Sequence, residues 1–66
     1  MRYRDAKSLK EGDEIVRVSD KVILVVKEAF IFGQYKTVKV GCFIKDNAES
    51  PYIYLINTEI ESITPD

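Results

Sequence analysis

The 66-residue chain contains no histidine and no tryptophan, and its only cysteine is Cys42. Without histidine, neither a Ser-His-Asp nor a Cys-His nucleophile can be assembled within one chain, and the usual proton shuttle at neutral pH is missing. A single cysteine closes no intrachain disulfide and cannot supply the several ligands of a zinc site. Between Val40 and Ile44, Cys42 reads as a small buried hydrophobe. No GxxxxGK or GxGxxG phosphate loop is present. The carboxylate pairs Asp13-Glu14 and Glu59/Glu61 lack further oxygen ligands at a diagnostic spacing and read as solvated surface charge. The expectation is a non-enzymatic chain with no cofactor and no metal. No uncharged run approaches the ~20 residues that span a bilayer. Met1-Arg2-Tyr3-Arg4-Asp5 does not lead into the apolar stretch of a secretion signal. A cytoplasmic location with no membrane partner is the corresponding expectation.

At this length the chain holds one small domain, residues 1–66, with residues 1–8 and 64–66 expected to be flexible. For so small a chain, apolar burial and chain entropy nearly cancel, so stability has little margin. A hydrophobic share of 45% against 32% charged residues still places the chain among globular proteins. The formal net charge is -1, but it is unevenly spread. Residues 1–20 balance, residues 21–45 form a basic stretch, and residues 46–66 carry only acidic charge.

Ser8 to Asp13 reads as a turn feeding a first strand that ends near Val18, with Leu9 tucked under the core and Ser19-Asp20 as the next turn. Lys21 to Phe32 has no breaker and is rich in Val, Ile and Phe, so it reads as one long strand. Gly33-Gln34 suggests a two-residue type II′ hairpin loop, and Tyr35 to Lys45 the returning strand. Asp46 to Pro51 is a loop and Tyr52 to Ile56 a fourth strand. Asn57-Thr58 then turns into Glu59–Ile63, either a one-turn helix or a short closing strand. Val22 to Phe32 fully extended would measure about 36 Å. A domain of this size has a diameter of only about 28 Å. The strand must therefore bend, with a bulge expected around Lys27-Glu28-Ala29, or its hairpin tip must stand free. These features predict an all-β fold, a five-stranded, SH3-like, partly open barrel built on a long bent central hairpin.

The stretch Leu9-Lys10-Glu11-Gly12-Asp13-Glu14-Ile15-Val16-Arg17-Val18 resembles the opening of SH3-like barrels of the KOW type, found in transcription and translation proteins, where a Gly-Asp turn launches the first strand. The likeness covers these ten residues. Where the KOW pattern continues with further glycines and a Gly-Pro-Phe-like turn, this chain has Ser19-Asp20-Lys21. The resemblance implies the barrel fold and, from its family, a role with nucleic acid.

A two-residue hairpin loop pairs residues whose numbers sum to 67. One face then carries Ile23, Val25, Lys27, Ala29 and Ile31 opposite Ile44, Cys42, Val40, Val38 and Lys36, joined by Ile53 and Leu55 of the fourth strand. This aliphatic face is the expected core. The other face carries Leu24, Val26, Glu28, Phe30 and Phe32 opposite Phe43, Gly41, Lys39, Thr37 and Tyr35, joined by Tyr52, Tyr54 and Ile56, with a Glu28–Lys39 pair at its centre. Either the bend carries Phe30 and Phe32 into a second part of the core, or the aromatics form an exposed patch that marks an interface.

Two functions follow. In the first, a protein-interaction or regulatory module takes a protein or peptide partner, or a second copy of the chain, on Phe30, Phe32, Tyr35, Lys39, Phe43, Lys45, Tyr52 and Tyr54. In the second, the same lysines and aromatics hold single-stranded RNA or DNA. A pI near 5.4 disfavours the nucleic acid.

Overall fold

The computed structural model describes residues 1–64. Five strands, β1 (Glu14–Arg17), β2 (Ile23–Phe32), β3 (Thr37–Ile44), β4 (Ile53–Ile56) and β5 (Ile60–Ile63), make one antiparallel sheet in the order β4-β3-β2-β1-β5. The two outermost strands are consecutive in the chain, and a single 3₁₀ turn at Asn57–Glu59 links them. So short a link holds both ends of the sheet together, which curls it into a partly open barrel. Of the two forms expected for Glu59–Ile63 the strand is the one formed, at Ile60–Ile63, and the 3₁₀ turn falls where a turn was expected, at Asn57-Thr58, running on to Glu59. Among the described residues no helix is long and apolar enough to cross a membrane.

Local chemistry sets the bends. Gly12 takes a φ of 95°, a left-handed conformation that suits glycine, and so delivers the chain into β1. In the β1–β2 turn the Asp20 carboxylate accepts the Val22 N–H at 3.2 Å and binds the Arg17 guanidinium through two oxygens at 3.0 and 2.8 Å. The β2–β3 connection differs from the expected two-residue loop. It is a 3₁₀ turn at Gly33–Tyr35, closed by Lys36 in the left-handed region, so the positive φ falls on Lys36.

That longer turn resets the register. Near the tip, Phe32 pairs with Thr37 and Phe30 with Lys39; beyond a bulge at Lys27, Val26 pairs with Cys42 and Leu24 with Ile44. The expected sum of 67 is replaced by 69 and then 68. The bulge itself lies where the interrupted apolar pattern placed it. Its extra residue changes which side chains face inward. On the tip side Ala29 and Ile31 share the inner face with Val38 and Val40, as expected, but past the bulge Leu24 and Val26 are buried and Ile23 and Val25 turn outward. The β3–β4 register is displaced by two from the expected one, pairing Cys42 with Ile53 and Gly41 with Tyr54. A shift of two keeps every side chain on its face, so Ile53 and Leu55 stay inside.

The core comprises Ala6, Leu9, Ile15, Leu24, Val26, Val38, Val40, Cys42, Leu55 and Ile60. Leu9 and Cys42 are buried as expected. Residues 1–8, expected to be flexible, include a helical turn, α1 (Tyr3–Ala6), whose Ala6 is fully buried. Among the described residues one polar side chain enters the core: Asn57 accepts the Val38 N–H on Oδ1 at 3.1 Å and donates from Nδ2 to the Met1 carbonyl at 3.2 Å. The Met1 amino group in turn donates to the carbonyls of Asn57 and Ile60. At the other end the Thr64 N–H donates to the Glu14 carbonyl at 2.9 Å. Pro65 and Asp66, expected to fray, lie outside the described residues.

Candidate interaction surface

With the core on the inner face, the outer face of the sheet is set by register alone. Successive rows across it are Phe32 and Thr37; Phe30, Lys39 and Ile56; Glu28, Gly41 and Tyr54; and Glu14, Val25 and Phe43. Antiparallel sheets of this kind are usually polar on their solvent side. Here Phe30, Phe32, Tyr35, Tyr52, Tyr54 and Ile56 are all exposed, and Phe43 is half-buried. The bulge turns Phe30 and Phe32 outward, so they do not join a second part of the core.

The centre of this face is built around Gly41. The ring of Tyr52, the residue before β4, lies across it toward β2, so close that a Cβ at position 41 would stand 2.7 Å from ring carbons Cε1 and Cζ. The Tyr52 hydroxyl donates to the Glu28 carboxylate. That bond, reinforced by desolvation and by the carboxylate's charge, pushes the phenol pKa up to about 12. Tyr52 and Tyr54 meet edge to face with ring centroids 5.1 Å apart, and the Lys39 ammonium sits 4.5 Å from the Tyr54 ring centre. The expected Glu28–Lys39 pair is therefore absent: β3 is offset, Glu28 takes Tyr52, and Lys39 takes Tyr54.

Beside Tyr52 a cleft of about 670 Å³ opens between Phe43 and the loop residues Asp46, Asn47, Ala48 and Ser50. Ser50 holds the loop in place by accepting the Ile44 N–H at 2.9 Å.

Of the eight residues expected to form a site, Lys39, Phe43, Tyr52 and Tyr54 come together, with Phe30 next to Lys39. Phe32 and Tyr35 lie toward the hairpin tip, away from Tyr52 and Tyr54. Lys45 is diverted: its ammonium crosses β2 to Glu14 at 2.9 Å, which raises its pKa and neutralises its charge on this face. Sequence reasoning placed Ile56 on this face without counting it among the site residues, and it missed the role of Gly41, although a glycine within a strand signals a close approach. It also missed a cluster at the tip, where the ammonium groups of Lys7 and Lys36 lie 5.1 and 5.7 Å from the Tyr3 ring centre.

The carboxylate pairs do not converge. Glu59 accepts the Ile56 N–H at 2.9 Å, Glu61 pairs with Lys21, Asp13 accepts the Lys10 N–H at 3.0 Å, and Glu14 holds Lys45. Among the described residues no group of three His, Cys, Asp or Glu side chains is placed to hold a metal ion. Burial of the Cys42 thiol raises its pKa, which keeps it protonated and a poor nucleophile. No family model, curated protein or solved structure matches the chain.

Proposed function

We propose that this chain is a non-enzymatic interaction module that engages a protein partner through the outer face of its sheet. The observation that carries this reading is the exposed apolar surface formed by Tyr52, Tyr54, Phe43 and Ile56 beside the cleft. Tyrosines whose ring is apolar and whose hydroxyl is polar suit such surfaces. Charge on the face is nearly balanced, since Glu14 cancels Lys45 and Glu28 offsets Lys39. A balanced face gives a phosphate backbone little to hold. Lys39 stacked on Tyr54 favours the alternative, a single-stranded nucleic acid with bases on the tyrosines, and the KOW-like opening agrees with it. A cytoplasmic setting accords with the free Cys42 thiol.

A photoreactive amino acid at position 54, with the same probe at Lys10 as control, tests the reading in cells. Partner adducts formed at position 54, absent at position 10 and lost with Phe43→Ala support it. Fluorescence anisotropy with short RNA and DNA tests the alternative. Tight, salt-sensitive binding with no protein adduct would replace the protein reading with the nucleic-acid one.

A further inference from the structure

We propose that the arm of β2 beyond the bulge is a self-association edge, on which two copies of the chain pair β2 with β2 antiparallel about a two-fold axis. β1 covers β2 only over Ile23–Val25, with Asp13 and Gly12 extending the bonds to Val26. β3 continues alongside β2 as far as Phe32. Among the described residues, β2 from Lys27 to Phe32 therefore has a strand neighbour on one side only. An open edge is a template for another strand, and proteins usually guard one with lysine, proline or inward-pointing charge. From Ala29 to Tyr35 this edge has no charge and no proline. Its side chains are apolar on both faces: Phe30 is 42% exposed, Ile31 53%, Phe32 45% and Tyr35 72%.

A second copy fits this edge for three reasons. An antiparallel pairing about a two-fold uses the same edge twice and leaves none of it open. Because the segment is uncharged, doubling it brings no like charges together. With the axis at Ile31, Phe30 faces the partner's Phe32 on the outer side, Ile31 meets the partner's Ile31 on the inner side, and Glu28 lies opposite the partner's Gln34. The third reason is cross-strand packing. The two Phe30–Phe32 pairs and the Ile31–Ile31 pair set apolar side chains side by side across the seam, the arrangement that stabilises antiparallel neighbours. Pairing covers the backbone edge and the facing flanks of these side chains, so the expected dimer is weak.

This pairing does not rest on a heterologous partner, and its test leaves Tyr54 and Phe43 untouched. Sedimentation equilibrium of the full chain from about 5 to 500 µM should show a monomer–dimer transition. Hydrogen exchange at Ala29–Phe32 should slow as concentration rises. Ile31→Lys puts a charge on an exposed position, and with an unchanged circular dichroism spectrum it should remain monomeric throughout. Ile31→Cys should oxidise to a disulfide-linked dimer, because directly opposite strand residues lie within disulfide reach, whereas Val18→Cys should not. A monomer at 500 µM, or a dimer that survives Ile31→Lys, would overturn the proposal.

Discussion

Gly41 and Tyr52 act as one unit, because the ring fills the space a side chain at 41 would need. Gly41→Ala is expected to displace Tyr52, break its bond to Glu28 and cost about 1–3 kcal/mol, as overpacking does. Urea denaturation measures the loss. The same pair gives a titration signature. Tyr52 should be shifted to about 12, and Glu28→Gln should bring it back toward 10 in an ultraviolet absorbance titration. The folded state holds this proton more tightly than the unfolded chain. The bond's contribution to stability is therefore complete below pH 10 and fades as pH rises through about 12. Residue types such as Cys42 and Leu9 were legible in the sequence because an apolar side chain in an apolar run has one destination. The partners of Glu28, Lys39 and Lys45 were not, because a charged side chain on a sheet chooses among neighbours that only the register defines.

At the scale of elements, the strands were legible from their β-branched density and the bulge from its break in that pattern. Register was not, because it depended on a turn whose type a lone glycine misidentified. Gly33 suggested a two-residue loop, while the chain used a 3₁₀ turn with Lys36 supplying the left-handed residue. That difference of two positions kept Ala29 and Ile31 on the inner face, and it was the one extra residue of the bulge that exchanged Ile23 and Val25 for Leu24 and Val26 in the core. The fourth strand escaped the error because its displacement was even. α1 left no periodic signal, since four residues carry too little pattern. The 3₁₀ turn between β4 and β5 depends on Asn57, whose amide ties it to β3 and to Met1. Asn57→Ala would leave the Val38 N–H buried without an acceptor, and the expected cost is about 1–3 kcal/mol, measured by thermal or chemical denaturation.

For the whole molecule, the barrel and the hairpin arm differ in how they are held. The molecule measures 34 by 21 by 20 Å, and the arm supplies residues that are exposed on both faces. Cys42 sits in β3, bonded into the sheet on both sides by β2 and β4. Its thiol should be alkylated only when the whole barrel opens, while amides at the arm tip exchange through local fraying. Matching the alkylation rate to the slowest-exchanging core amides checks this, and fast modification of the native protein would show that β3 opens separately. The outer-face aromatics were legible as a group from alternation alone. Their sorting into a central cluster and an arm was not, since it arises from where β1 ends.

The bulge at Lys27 also determines how the gene tolerates change. Loss of one codon within a strand normally turns every following side chain to the opposite face. Loss of the Lys27 codon should not. With the extra residue gone, Val26, Glu28, Ala29 and Phe30 alternate inward and outward as they do now, and only the bend and the ion pair to Glu11 disappear. A chain lacking Lys27 should therefore fold with Phe30 and Phe32 still outside and with a straighter arm, and nuclear Overhauser contacts across the hairpin would show it. Removing Ala29 while the bulge remains would instead drive both phenylalanines toward the core. Within a few codons, one deletion alters only the shape of the surface and another exchanges surface for interior.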